Sequence, residues 1–67
     1  MNTQEVKKRM ENMHISVAKM SKELGMDPST YYRKRNRNGE DFSALDLMVF
    51  KRVLQMNNQE AQDILLS

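Results

Sequence analysis

The chain has no cysteine and no tryptophan, a single histidine, one proline and two glycines among its 67 residues. Each shortage removes a class of explanation. Without cysteine there is neither a disulfide nor a thiolate metal site, and a lone His14 cannot form a ligand cluster, so no metal or other cofactor is expected. No apolar run approaches the roughly 20 residues needed to span a bilayer, and the opening MNTQEVKKRM lacks the apolar region and cleavage site of a secretory signal. A cytoplasmic location without a membrane partner is the expectation. Scarcity of breakers in a chain rich in Leu, Met, Ala, Glu, Lys and Gln favours an all-α protein.

A chain of this length has room for one domain, residues 1–67, with a small core. Such domains are marginal alone and need extra support. With disulfides and metals excluded, regular helix packing and a partner subunit remain. Seven methionines suit an adaptable interior, because the unbranched thioether fills irregular gaps. The net charge is only +2, yet four of the eleven basic residues fall between Arg33 and Arg37. That uneven distribution says more about partners than the total does.

Five helix starts are legible. In each, an apolar residue precedes a polar cap residue and is matched by another apolar residue five positions on, the spacing of a hydrophobic staple. The sets are Met1, Asn2 and Val6; Ile15, Ser16 and Met20; Met26, Asp27 and Tyr31; Phe42, Ser43 and Leu47; Met56, Asn57 and Ala61. Asn2 with Glu5, Ser43 with Asp46 and Asn57 with Glu60 add capping-box spacing. The predicted helices run from Thr3 to Met13, Val17 to Leu24, Pro28 to Asn36, Ala44 to Met56 and Asn58 to Leu66. Their inward stripes are Val6, Met10 and Met13; Val17, Met20, Ser21 and Leu24; Tyr31; Leu47, Phe50, Val53 and Leu54; and Ala61, Ile64 and Leu65. Ser21 can bond the carbonyl four residues back. Lys7, Lys8 and Arg9 serve only to keep the first helix soluble.

The stretch from Ser16 to Asn38 carries the functional signal. Its first helix ends at Gly25, which suits a left-handed terminus, and its second begins with Asp27 as a cap and Pro28 at the first helical position. On that second helix Ser29, Tyr32, Arg33 and Asn36 lie within about 100° of one another, while Tyr31 points the other way. A helix, a short glycine turn and a second helix is a geometry that places the second helix in the major groove of DNA. There Arg33 suits guanine, Asn36 suits adenine edges, Ser29 is adaptable, and Tyr32 suits a thymine methyl or a phosphate. These four are the expected base contacts. Lys19, Lys22, Thr30, Lys34, Arg35 and Arg37 are the expected phosphate set.

The residues MSKELGM, STYYRK and NRNGEDF, a helix ending RVLQM, and a final EAQDILL resemble the Cro/repressor type of helix-turn-helix regulator found in bacteriophages and mobile elements. The resemblance covers about three quarters of the chain. It implies a compact five-helix domain like that of lambda repressor, acting in the bacterial host cytosol and commonly as a dimer. Val17 stands where that family often has a phosphate-binding Gln, which makes Ser16 the substitute. Ser21 stands where Ala is usual. Lys34 and Arg35 occupy the side of their helix that meets the core, so their stems are expected to cover apolar surface.

Leu45, Met48 and Val49 exceed what one small core requires, and with Leu66 they form the expected dimer interface. The function expected is sequence-specific recognition of a palindromic double-stranded operator, with no small-molecule ligand. The alternative is a protein-interaction module of antirepressor or antitoxin type on the same fold. An enzyme is not expected, because no nucleophile and base, carboxylate pair or phosphate loop can be assembled.

Overall fold

The computed structural model describes all 67 residues and contains five helices and no strand. They are α1 (Thr3–Asn12), α2 (Val17–Leu24), α3 (Pro28–Asn36), α4 (Ala44–Val53) and α5 (Asn58–Leu65). The radius of gyration is 10.6 Å, close to the ~11 Å of a compact domain of this length. α2 packs against α3 and α4, while α1 packs against α5.

The helix starts follow the cap residues. Side chains of Asn2, Ser16, Ser43 and Asn57 accept from the amides of Glu5, Lys19, Asp46 and Glu60. Reciprocal capping boxes form at α4 and α5. The expected box at Asn2 is one-sided, because the Asn2 amide instead donates to the Ile64 carbonyl at 2.7 Å and ties the chain start to α5. Asp27 departs further: it makes no side-chain cap bond, and α3 starts on Pro28 and the backbone alone.

The helix ends hold a pattern that was only partly expected. His14, Gly25, Asn38 and Gln55 all have left-handed backbones, with φ of 57°, 70°, 61° and 54°. In each case the following amide reaches back into the helix: Ile15 to Met10, Met26 to Ser21, Gly39 to Lys34 and Met56 to Lys51. This closure satisfies orphan carbonyls and turns the chain sharply. It also corrects two boundaries: α4 stops at Val53 rather than Met56 because Gln55 reverses the backbone, and α1 stops at Asn12 because His14 does. α5 ends one residue earlier than expected, at Leu65, with Leu66 as its cap and no left-handed residue.

Nine buried apolar residues form one core: Val6, Met10, Met20, Tyr31, Phe42, Phe50, Leu54, Met56 and Leu65. Phe42 and Met56 belong to the predicted staples rather than to helices. At the centre the rings of Tyr31, Phe42 and Phe50 lie 5.0 to 6.3 Å apart, with Phe42 edge-on to Phe50 at 77°. The Tyr31 hydroxyl donates to the Met10 sulfur at 3.3 Å and so links α3 to α1. Ser21 is buried and its hydroxyl has no partner, so the bond to the carbonyl four residues back that a serine can make there is not made.

Two polar clasps complete the packing. Arg9 donates from Nε to the Leu54 carbonyl at 3.1 Å and from Nη2 to Glu60 at 2.8 Å. It therefore fastens α1 to the end of α4 and the start of α5, beyond the solubilising role read from sequence. Glu23 on α2 pairs with Arg52 on α4 at 3.2 Å and with Lys19 at 3.3 Å.

Candidate functional site

α3 has a single fully buried side chain, Tyr31. Its sequence offers no apolar stripe, so the helix is seated through one ring against Phe42 and Phe50 and through the Met10 bond. Burial pushes the Tyr31 phenol above the ordinary tyrosine range, and nearby Arg35 pulls in the opposite direction. With one side spent on Tyr31, the rest of α3 faces outward.

Ser29, Tyr32, Arg33 and Asn36 are all exposed, as one polar surface along α3. Thr30, Lys34 and Arg35 are half-buried at its flanks. Arg35 differs from its basic neighbours, since its guanidinium carbon lies 5.5 Å from the Tyr31 ring centre and 4.9 Å from that of Tyr32. Arg37 is exposed and pairs with Asp41 at 3.3 Å. The four ion pairs of the chain leave Arg33, Lys34 and Lys22 without carboxylate partners.

On α2, Lys19 and Lys22 are exposed. Lys19 shares Glu23 with Arg52; those two cations hold the Glu23 carboxyl below the ordinary glutamate range, the hydrogen bond from Arg52 being the largest single cause. The Ser16 hydroxyl accepts from the Lys19 amide, which occupies one of its lone pairs as the cap of α2. α2 therefore meets solvent with one paired and one free ammonium.

A second surface lies on α4 and α5. Leu45, Met48 and Leu66 are 73%, 65% and 68% exposed, while Val49 is half-buried. Met48 and Leu66 line one apolar cleft of about 130 Å³ together with Leu47, Lys51, Ala61 and Leu65. Leu45 lies one helical turn from Met48, outside the cleft lining. The four expected interface residues are thus split, two in the cleft and two beside it.

Sequence reasoning missed the Arg35 stack, the Glu23–Arg52 bridge and the Arg9 clasp. A helical i, i+4 relation between Tyr31 and Arg35 was available as a signal. The other two join residues 29 and 51 positions apart, with no local signature. Against protein-family models, curated proteins and solved structures, no match to this chain was found.

Proposed function

We propose that the chain is a sequence-specific double-stranded DNA-binding regulator of the Cro/repressor helix-turn-helix type, with a lambda-repressor-like arrangement of its five helices. α3 enters the major groove and α2 lies across the backbone. The observation that carries this reading is the exposed set Ser29, Tyr32, Arg33 and Asn36 on a helix anchored by one buried ring, directly after the Gly25 turn. A polar face with an unpaired Arg33 offers donors and acceptors without first breaking internal bonds. Arg33 reads guanine, Asn36 reads adenine edges, and Lys22 and Lys34 meet phosphates.

The apolar surface around Met48 and Leu66 supports dimerisation on DNA, with half-sites about one helical turn, roughly 34 Å, apart. A palindromic operator follows from two-fold symmetry. The same surface favours the second reading, a module that grips another protein through α4 and α5.

Selection of bound duplexes from a random pool, followed by titration against salt, tests the proposal. The expected result is a palindromic site and a log–log salt slope of several units, each phosphate contact adding roughly 0.9. Arg33→Ala should relax discrimination at one base pair by about 1 to 3 kcal/mol, whereas Arg37→Ala weakens all sequences alike. No shift of any duplex at low salt overturns the proposal, and a stoichiometric protein partner in its place establishes the second reading. A monomer by sedimentation, both free and on DNA, removes the dimer.

A further inference from the structure

Tyr31 and Tyr32 are neighbours on α3, where successive side chains point about 100° apart and do not face each other. Here their rings nonetheless meet edge to face, 5.9 Å between centroids at 70°. Arg35 is four residues after one ring and three after the other, so its side chain returns over both. Its distances of 5.5 and 4.9 Å to the two ring centres lie within the cation–π range. The stack bridges inside to outside: Tyr31 is fully buried, Arg35 half-buried and Tyr32 43% exposed. Arg35 also lines a small cleft with Lys7, Met10, Glu11, Ile15 and Val17, which puts the residue beside α1 and the start of α2.

An exposed tyrosine on a helix is free to change rotamer unless something holds it. Among the basic residues from Arg33 to Arg37, Arg35 is the one whose charge lies against rings of the fold itself. We infer that Arg35 is a positioning residue: it fixes the Tyr32 ring on the outward face of α3 by bridging it to the buried Tyr31, and base discrimination by Tyr32 depends on it. The inference rests on the DNA-binding reading above, and it replaces the phosphate role expected for Arg35 from sequence.

The test uses the full chain with Arg35→Met, which keeps an apolar stem, Arg35→Lys, which keeps the cation, and Tyr32→Leu. Thermal unfolding and circular dichroism first establish that each is folded. In the free protein, the Tyr32 ring-proton shifts of wild type should collapse towards those of an unrestrained tyrosine in Arg35→Met and be partly restored in Arg35→Lys, while Tyr31, which also loses the Arg35 contact, keeps the shift dispersion of a buried ring. On DNA, Arg35→Met should keep the wild-type salt slope and lose about two- to fivefold in discrimination at one base position, the fold-change of an exposed cation–π contact. It should add nothing to the loss caused by Tyr32→Leu, because both remove one unit.

A salt slope lower by about 0.9 with discrimination intact makes Arg35 a phosphate contact and overturns the inference. Additive losses in the double variant overturn it as well. If the wild-type protein binds no duplex, the DNA reading fails, and the Tyr32 signals of the free protein alone decide whether Arg35 holds the ring.

Discussion

α3 and α4 have nearly the same length, nine and ten residues, and are held in opposite ways. α4 begins with a reciprocal capping box, buries Phe50, half-buries Leu47 and Val53, and is capped by the buried Leu54. α3 has no side-chain cap and one buried residue. The difference teaches how a small domain keeps a polar helix on display. Concentrating the anchorage in a single aromatic ring leaves the other positions of that helix free to be charged or polar.

The comparison breaks first at Tyr31. Tyr31→Ala should cost about 3 to 5 kcal/mol, as large aromatic truncations in cores do, and leave much of the chain unfolded in urea titrations. Tyr31→Phe, which keeps the ring and loses the hydroxyl's contacts with the Met10 sulfur and Arg35, should cost below about 1.5 kcal/mol. A loss under about 1 kcal/mol for the alanine variant would mean that α3 is seated by something other than its ring.

Gly39 tests the far end of α3. Its φ is +70°, and an added Cβ would come within 2.8 and 2.9 Å of the Met1 sulfur and Cβ. Gly39→Ala should therefore destabilise by about 1 to 3 kcal/mol in thermal melts. The caps give a finer contrast. Ser43→Ala removes a bonded cap and should cost about 1 kcal/mol, whereas Asp27→Ala should cost only a few tenths, through the helix dipole. Equal losses at both positions would show that Asp27 caps α3 in solution.

The smallest effects are those of pH, and they divide between the two regions. Glu60 is held below the ordinary glutamate value of 4.5 first by the Asn57 amide and then by Arg9, and Glu23 by Arg52 and Lys19. A lowered carboxylate contributes stability that is complete above 4.5 and lost as pH falls through its folded value. Acid should thus loosen the α1–α5 and α2–α4 clasps. Tyr31 is shifted the other way, so its contribution is complete below the ordinary 10.0 and lost as pH rises through the folded value. Alkali should attack α3 first. Amide exchange along a pH series checks the division, and uniform loosening at both extremes would erase it.

Much of this architecture is written locally, which is why it was legible. N-caps and staples lie within five residues of one another, and all five helices start where those patterns place them. Gly25 announced its left-handed turn because glycine is the residue that adopts it without strain. His14 and Gln55 carry no such mark, so the ends of α1 and α4 were misplaced. Asn2 and Glu5 have capping-box spacing, but the competing Ile64 carbonyl that takes the Asn2 amide is remote in sequence and leaves no local sign. The outward set on α3 followed from helical spacing, and its four members are exposed. Which of the neighbouring cations are already engaged did not follow, because the Lys19–Glu23–Arg52 cluster depends on how α2 meets α4. Ser21 can satisfy itself within α2, and its lone hydroxyl shows that a permitted local bond is not an obligatory one.

Asn38 and Gly39, which close α3, form the dipeptide most prone to spontaneous chemical ageing, in which the glycine nitrogen attacks the asparagine side-chain carbonyl and expels ammonia. In the fold that nitrogen is committed: the Gly39 amide donates to the Lys34 carbonyl at 3.1 Å, and Gly39 is buried. The reaction is therefore slowed while the end of α3 stays closed. Conversion of Asn38 to aspartate or isoaspartate in an incubated sample would act as a slow clock, recording how much time the closing turn of this helix has spent undone.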